Sequence, residues 1–202
     1  MARKKQKLYD YRKKRRKFFQ IKITKKQLPI IGMWIFKILV TCLMALVCVL
    51  NFGQKVSTVG NSMNPVLENG DIVLVNKLIY NATSPKRGDV IVFSPKGNKN
   101  THYSIKRVIG LPGEKIQVIE SSIYINGEKL KEDYEVTKIS DPGLLGDEIT
   151  LKNDEYFVLG DSRNNSEDSR NPDIGNVNRD HIYGKPWFIV SPGNRFGFVK
   201  DK

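Results

Sequence analysis

The chain has 202 residues, 40% of them hydrophobic, which is room for one sizeable packed domain and an appendage. Its net charge of +13 suggests a nucleic-acid binder, but the excess is local: residues 1–28 hold 13 Lys/Arg against one acid, Asp10, leaving 21 basic and 20 acidic groups elsewhere. A near-neutral domain behind a basic tail argues for no nucleic acid as partner.

The tail runs into an apolar stretch. From Ile30 to Leu50 the only charge is Lys37, and at 1.5 Å per residue the stretch makes roughly 31 Å of helix, about one bilayer core. Lys37 lies near the start, where its stem can snorkel toward the basic side. The stretch is too long for a cleaved leader, and "VCVLNFGQK" has no small-x-small cleavage site. Residues 29–52 therefore read as a transmembrane anchor in the lipid bilayer. Lys/Arg stay on the cytoplasmic side, so 1–28 is a cytoplasmic tail and 53–202 an extracytoplasmic domain of a single-pass cell-membrane protein. The tail either sets topology alone or also touches anionic headgroups.

Both cysteines, Cys42 and Cys48, fall inside the apolar stretch. The domain after it thus has no disulfide framework, thiol nucleophile or cysteine metal site. His102 and His181 stand far apart, so no metal and no cofactor are expected.

After residue 55 the pattern predicts strands over 71–80, 88–94, 103–110, 115–120, 122–127, 155–161 and 185–192. They are β-branched or aromatic runs separated by Gly, Pro, Asn and Asp. The Asn-Gly of "YINGEKL" signals a hairpin, making 115–131 a β-ribbon. With the acidic, turn-rich 132–153 it forms a peripheral excursion at about 115–153. The fold class is all-β, mainly antiparallel sheet, with one N-terminal transmembrane helix. Trp187, Phe188, Phe196 and Phe198 are expected in the core, the alternative being rest on a bilayer surface.

Three stretches carry chemistry. In "VGNSMNPVLENGD" Ser62 follows Gly60, which leaves the backbone open, and Asn61, which tolerates turn geometry. Lys106 sits within the apolar strand "HYSIKRVIG", where alternation puts His102, Ser104, Lys106 and Val108 on one face. Such a lysine is either an edge guard or a desolvated amine of lowered pKa, able to take a serine proton. Third, "GDSRNNSEDSRN" packs Asp161, Arg163, Ser166, Asp168 and Arg170 together, a setting for ion pairs that fix a loop. Oxygen donors there also suit calcium, but the interspersed arginines oppose it.

In this order behind an anchor, "GNSMNPVLENGD", "RGDVIVF", "IKRVIGLPGE" and "GDSRNNSEDSRN" resemble the type I signal peptidases, membrane-anchored serine proteases. The resemblance covers roughly residues 30–195 and is to the Gram-positive-like branch. It implies an endopeptidase that removes signal peptides from exported preproteins, with Ser62 as nucleophile and neutral Lys106 as general base. It implies further that Ser166 orients the amine, that Asp168 and Arg170 pair, and that Asp161 and Arg163 are structural. Some members carry a serine hydroxyl at the position of Gly60. Here the second oxyanion donor is a backbone amide or water. The family binds its substrate as an extended strand, with small residues one and three positions before the cut; 56–60 and 101–105 are the expected flanks. The secretion translocon is an implied partner. The anchor argues against self-cleaving repressors, which share the Ser/Lys chemistry. A non-catalytic or narrow-substrate relative in surface-protein or pilus assembly is the alternative, and a basic anchored scaffold is a third reading.

Overall fold

The computed structural model describes residues 27–98, 102–190 and 195–200. The basic tail, apart from Gln27 and Leu28, lies outside the described residues, as does Thr101. The chain divides into two units, with the boundary between Leu46 and Val47.

Helix α1 (Leu28–Phe52) supplies the described part of the first unit and ends in the second. Pro29 stands in its first turn, where a missing N–H costs nothing. No residue of the helix is buried. Its polar side chains turn back on the helix: Thr41 Oγ1 donates to Lys37 O at 2.8 Å, and Asn51 Nδ2 to Val47 O at 2.8 Å. At Gly53 a Cβ would meet Val49 O, so glycine ends the helix there.

The second unit is built from antiparallel strands. The larger sheet contains β1 (Gln54–Ser57), β2 (Ile72–Asn76), β3 (Val90–Phe93), β4 (Ser104–Gly110), β9 (Glu155–Leu159), β10 (Val177–Asn178), β11 (Ile182–Ile189) and β12 (Gly197–Phe198). Its order is β1-β2-β11-β3-β4-β9-β10, with β12 on β11. The smaller sheet runs β7 (Glu128–Lys129), β6 (Ser122–Ile125), β5 (Lys115–Ile119), β8 (Ile149–Thr150). The expected ribbon is there, and Asn126 and Gly127 both take positive φ in the β6–β7 turn, as a two-residue hairpin loop requires.

Strand β3 shows why the runs lack clean alternation. Val90 and Val92 enter one core with Val56, Met63, Leu67 and Ile105, while Ile91 and Phe93 enter another with Val108 and Val158. A strand covered on both faces is apolar throughout. A third core, including Ile109, Ile116, Leu151 and Phe157, joins the base of β4 to the small sheet.

Three expectations need correction. The strand expected over 71–80 stops at Asn76, because the Asn76 side chain accepts from the N–H of Leu78 (3.0 Å) and Ile79 (3.2 Å) and opens a one-turn helix, α2 (Ile79–Ala82). The strand expected over 185–192 begins at Ile182. Gly184 does not break it; a Cβ there would strike the Asn76 carbonyl of the neighbouring strand. Its register slips between Pro186 and Phe188, where proline has no N–H to give. Phe196 and Phe198 are not core residues: they are 66% and 73% exposed. They edge against Phe188 at 4.9 and 5.3 Å in a surface cluster that includes Trp187.

Candidate active site

Ser62 lies in a loop between β1 and β2. Gly60 takes φ +79°, a left-handed conformation, and its N–H donates to Asn69 Oδ1 at 2.9 Å. The buried side chains of Met63 and Leu67 anchor the loop, and Leu67 N donates to Met63 O at 2.8 Å. Thr58 ties its base: the backbone N–H donates to Asp71 O at 2.8 Å, and Oγ1 donates to the carbonyls of Asp71 and Glu68.

Lys106 projects from the middle of β4 and is 6% exposed. Its Nζ lies 2.7 Å from Ser62 Oγ, across 44 residues of sequence. Burial pulls the amine down from 10.5 to about 8, with the negative charges of Asp168, Glu167 and Asp161 opposing the change. Desolvation disfavours the ammonium, so the lysine has a substantial neutral fraction near physiological pH.

The 160–171 loop closes the site from below. Ser162 N donates to the Ser62 carbonyl at 3.1 Å, so the loop grips the peptide of Ser62 itself. Gly160 makes this approach possible. A Cβ there would sit 2.5 Å from Ser62 O and collide with Ser166 Oγ. Asp168 and Arg170 pair in two-point fashion, Nε to Oδ1 and Nη2 to Oδ2, both 2.9 Å. Asp168 Oδ2 also accepts from Gly160 N at 3.1 Å. Arg170 further donates to the carbonyls of Asp141 and Arg163. Ser166 Oγ is buried and has no hydrogen-bond partner among the described residues, so its contact with the amine is not formed here. Asn61 is exposed; its carbonyl accepts from Asn64 N at 3.2 Å.

Some supporting residues escape a local reading. Arg107, wholly buried, holds Asp161 through two hydrogen bonds of 2.7 Å and donates to Gly88 O at 2.8 Å. The Tyr134 ring stacks on its guanidinium, 4.0 Å away. Arg163 donates to Gly160 O at 3.0 Å and pairs with Glu132. The signal for Arg107 was available: an arginine in an apolar strand cannot lose its charge and must be paired. Glu132 and Tyr134 come from the turn-rich excursion, which offers no such signal. With Asp161 and Asp168 both committed to arginines, the calcium reading falls.

A pocket of about 130 Å³ adjoins the pair, walled by Ser57–Gly60 on one side and His102–Ile105 on the other, with Met63 and Leu67 as floor. Each wall continues a free sheet edge: among the described residues β1, which ends at Ser57, pairs only with β2, and the Ser104–Lys106 part of β4 pairs only with β3. An extended peptide can hydrogen-bond to either.

The family model described as signal peptidase, peptidase S26, matches residues 31–191. The chain is 33% identical to the "Probable signal peptidase I-2" of Synechocystis sp. over 88% of its own length and 82% of that protein's. It is 34% identical to the "Signal peptidase I P" of Bacillus subtilis subsp. natto over 83% of its length and 92% of that protein's. A solved signal peptidase I from Enterococcus faecalis V583 is 32% identical, with a TM-score of 0.41, covering 51% of this chain and 97% of that one. Matched by the family model over most of its length, the chain belongs to the signal peptidase family, peptidase S26.

Proposed function

We propose that Ser62 and neutral Lys106 are the catalytic pair with which this signal peptidase cuts signal peptides from preproteins. The observation that carries the reading is a buried amine 2.7 Å from a hydroxyl, lowered to about 8 by loss of water. Ser62 Oγ attacks the carbonyl carbon before the scissile bond and gives its proton to Lys106 Nζ. The Ser62 N–H faces the developing oxyanion, and since Gly60 has no side chain the second donor is a backbone amide or water. Lys106 then protonates the leaving amine, and the acyl-enzyme is released by water that gives its proton to the same nitrogen. Ser166 orients the amine when the substrate is bound, and the Asp168–Arg170 pair holds the loop that carries it. The substrate lies extended between the free edges of β1 and β4, and the small pocket admits only small side chains.

Residues 1–28 act as a cytoplasmic tail, 29–52 as the anchor and 53–202 as the extracytoplasmic peptidase domain. Support comes from α1, the described helix long and apolar enough to cross a bilayer, and from the Lys/Arg excess before it. The exposed aromatic cluster fits the same reading. Trp187 Nε1 donates to the carbonyl of Phe52, the last residue of α1, at 3.1 Å, which puts the cluster where the helix ends.

Cleavage of a preprotein by the full chain in detergent micelles tests the dyad. Ser62→Ala and Lys106→Ala are each expected to abolish the mature product, and undiminished cleavage by either variant would refute it.

A further inference from the structure

We propose that Arg195 is a positioning residue for catalysis, a clasp that fixes the loop carrying Ser62. The proposal rests on the dyad reading but goes beyond it: Arg195 lies past residue 191, where the family match ends. Its guanidinium donates to four residues of one short stretch of chain, 65–71. Nε donates to Asp71 Oδ2 at 3.0 Å, Nη1 to Glu68 Oε1 at 2.7 Å, and Nη2 to the carbonyls of Pro65 (3.1 Å) and Val66 (2.8 Å). Two of these acceptors are main-chain oxygens, so the contacts fix the path of the backbone as well as two side chains.

That path leads to the nucleophile. Asp71 Oδ2 also accepts from Glu68 N at 2.9 Å, and the carbonyls of Glu68 and Asp71 accept from Thr58, which lines the pocket. Lys106 is held within β4, but Ser62 sits in a loop without a sheet ladder. The Oγ–Nζ distance therefore depends on how firmly the loop is tied. Ser162 ties one end, at the Ser62 carbonyl, and Arg195 ties the other. Arg195 is itself placed by β12, which pairs with Phe188 and Ile189, and by Val199 N donating to Trp187 O at 3.1 Å.

The test uses the full chain in detergent micelles, with preprotein cleavage and acylation of Ser62 by a serine-directed acylating inhibitor as readouts. For Arg195→Ala both rates are expected to fall together, on the order of 10- to 100-fold, the scale for a nucleophile displaced by about 1 Å. Its pH midpoint stays with the wild type, because Lys106 keeps its surroundings. Added methylguanidinium restores part of the rate of Arg195→Ala and does nothing for the wild type. Wild-type rates in a folded Arg195→Ala overturn the proposal. So does a loss that methylguanidinium leaves untouched and that comes with a moved pH midpoint, since that marks general loosening of the site. Should Arg195→Ala not fold, Arg195→Lys decides. It keeps the charge beside Asp71 and loses the fan to the two carbonyls, so an intermediate rate supports the clasp and a wild-type rate overturns it. Cleavage surviving in Ser62→Ala would sink the dyad and the clasp together, whereas failure in the Arg195 variants alone leaves the dyad standing.

Discussion

Lys106 and Arg107 are consecutive cations on β4, 6% and 0% exposed, and they leave the strand on opposite faces. Arg107 meets a carboxylate in a two-point pair; Lys106 meets a hydroxyl. A guanidinium cannot shed its proton, so burial forces a counter-ion on it. An amine can, so burial without a close counter-ion turns it into a base. On the proposed reading, the choice of partner, more than burial or charge sign, makes one cation structural and its neighbour chemical.

The largest expected effect breaks the chemical side. Lys106→Met and Lys106→Arg should each lower preprotein cleavage by about 10³-fold or more, in the range for loss of a general base. The arginine variant is the sharper of the two, since it keeps the charge and removes the capacity to accept a proton. Activity surviving in Lys106→Arg would sink the comparison. On the structural side, Arg107→Met leaves Asp161 buried and unpaired. About 3–5 kcal/mol of stability should be lost, read as a fall in denaturation midpoint.

The same lysine is expected to cost stability. Its displacement from 10.5 to about 8 corresponds to roughly 3 kcal/mol against folding at pH 7. Lys106→Met should therefore be more stable than the wild type at neutral pH while inactive, and thermal denaturation checks it. The sign follows from proton counts. Between about pH 8 and 10.5 the unfolded chain holds a proton that the folded chain has lost, so wild-type stability rises with pH across that window. The advantage of the variant shrinks over the same range. Gly160→Ala adds a methyl 2.5 Å from Ser62 O and should cost on the order of 100-fold in rate by displacing Ser62, with the β fold intact by circular dichroism.

Much of this is legible in the sequence. The strands of the larger sheet announce themselves by β-branched runs between turn residues, and Ser62, Lys106 and the 160–171 loop sit in punctuated segments. Other features depend on partners distant in sequence. Nothing local to Lys106 says whether its stem snorkels out or stays dry; the loop around Ser62, 44 residues earlier, settles it. Asn76 reads as one more strand residue until its side chain is seen capping α2. Phe196 and Phe198 have core chemistry, but they lie on or beside a two-residue edge strand with nothing described above them. Arg195 follows the residues Pro-Gly-Asn in sequence, and nothing in that segment points to a loop 124 residues upstream.

The smallest effect is also the most diagnostic, because it separates the two cations without mutating either. If catalysis waits on a neutral lysine, kcat/KM should climb about tenfold for each pH unit below the lysine's own value and level off above it. That value is about 8, so the bend should fall on the mildly alkaline side of neutrality. Arg107 contributes nothing to the curve, since it holds its charge throughout. Three carboxylates oppose the burial at Lys106, Asp168 first, followed by Glu167 and Asp161. Glu167 is exposed and tied to no arginine among the described residues, so Glu167→Gln removes one of them with the least disturbance. Its loss weakens the pull toward the ammonium, and the bend should move to lower pH by a fraction of a unit. A bend that stays put in Glu167→Gln, or a wild-type rate flat from pH 6 to 9, would mean that the amine is not the group whose proton governs the reaction.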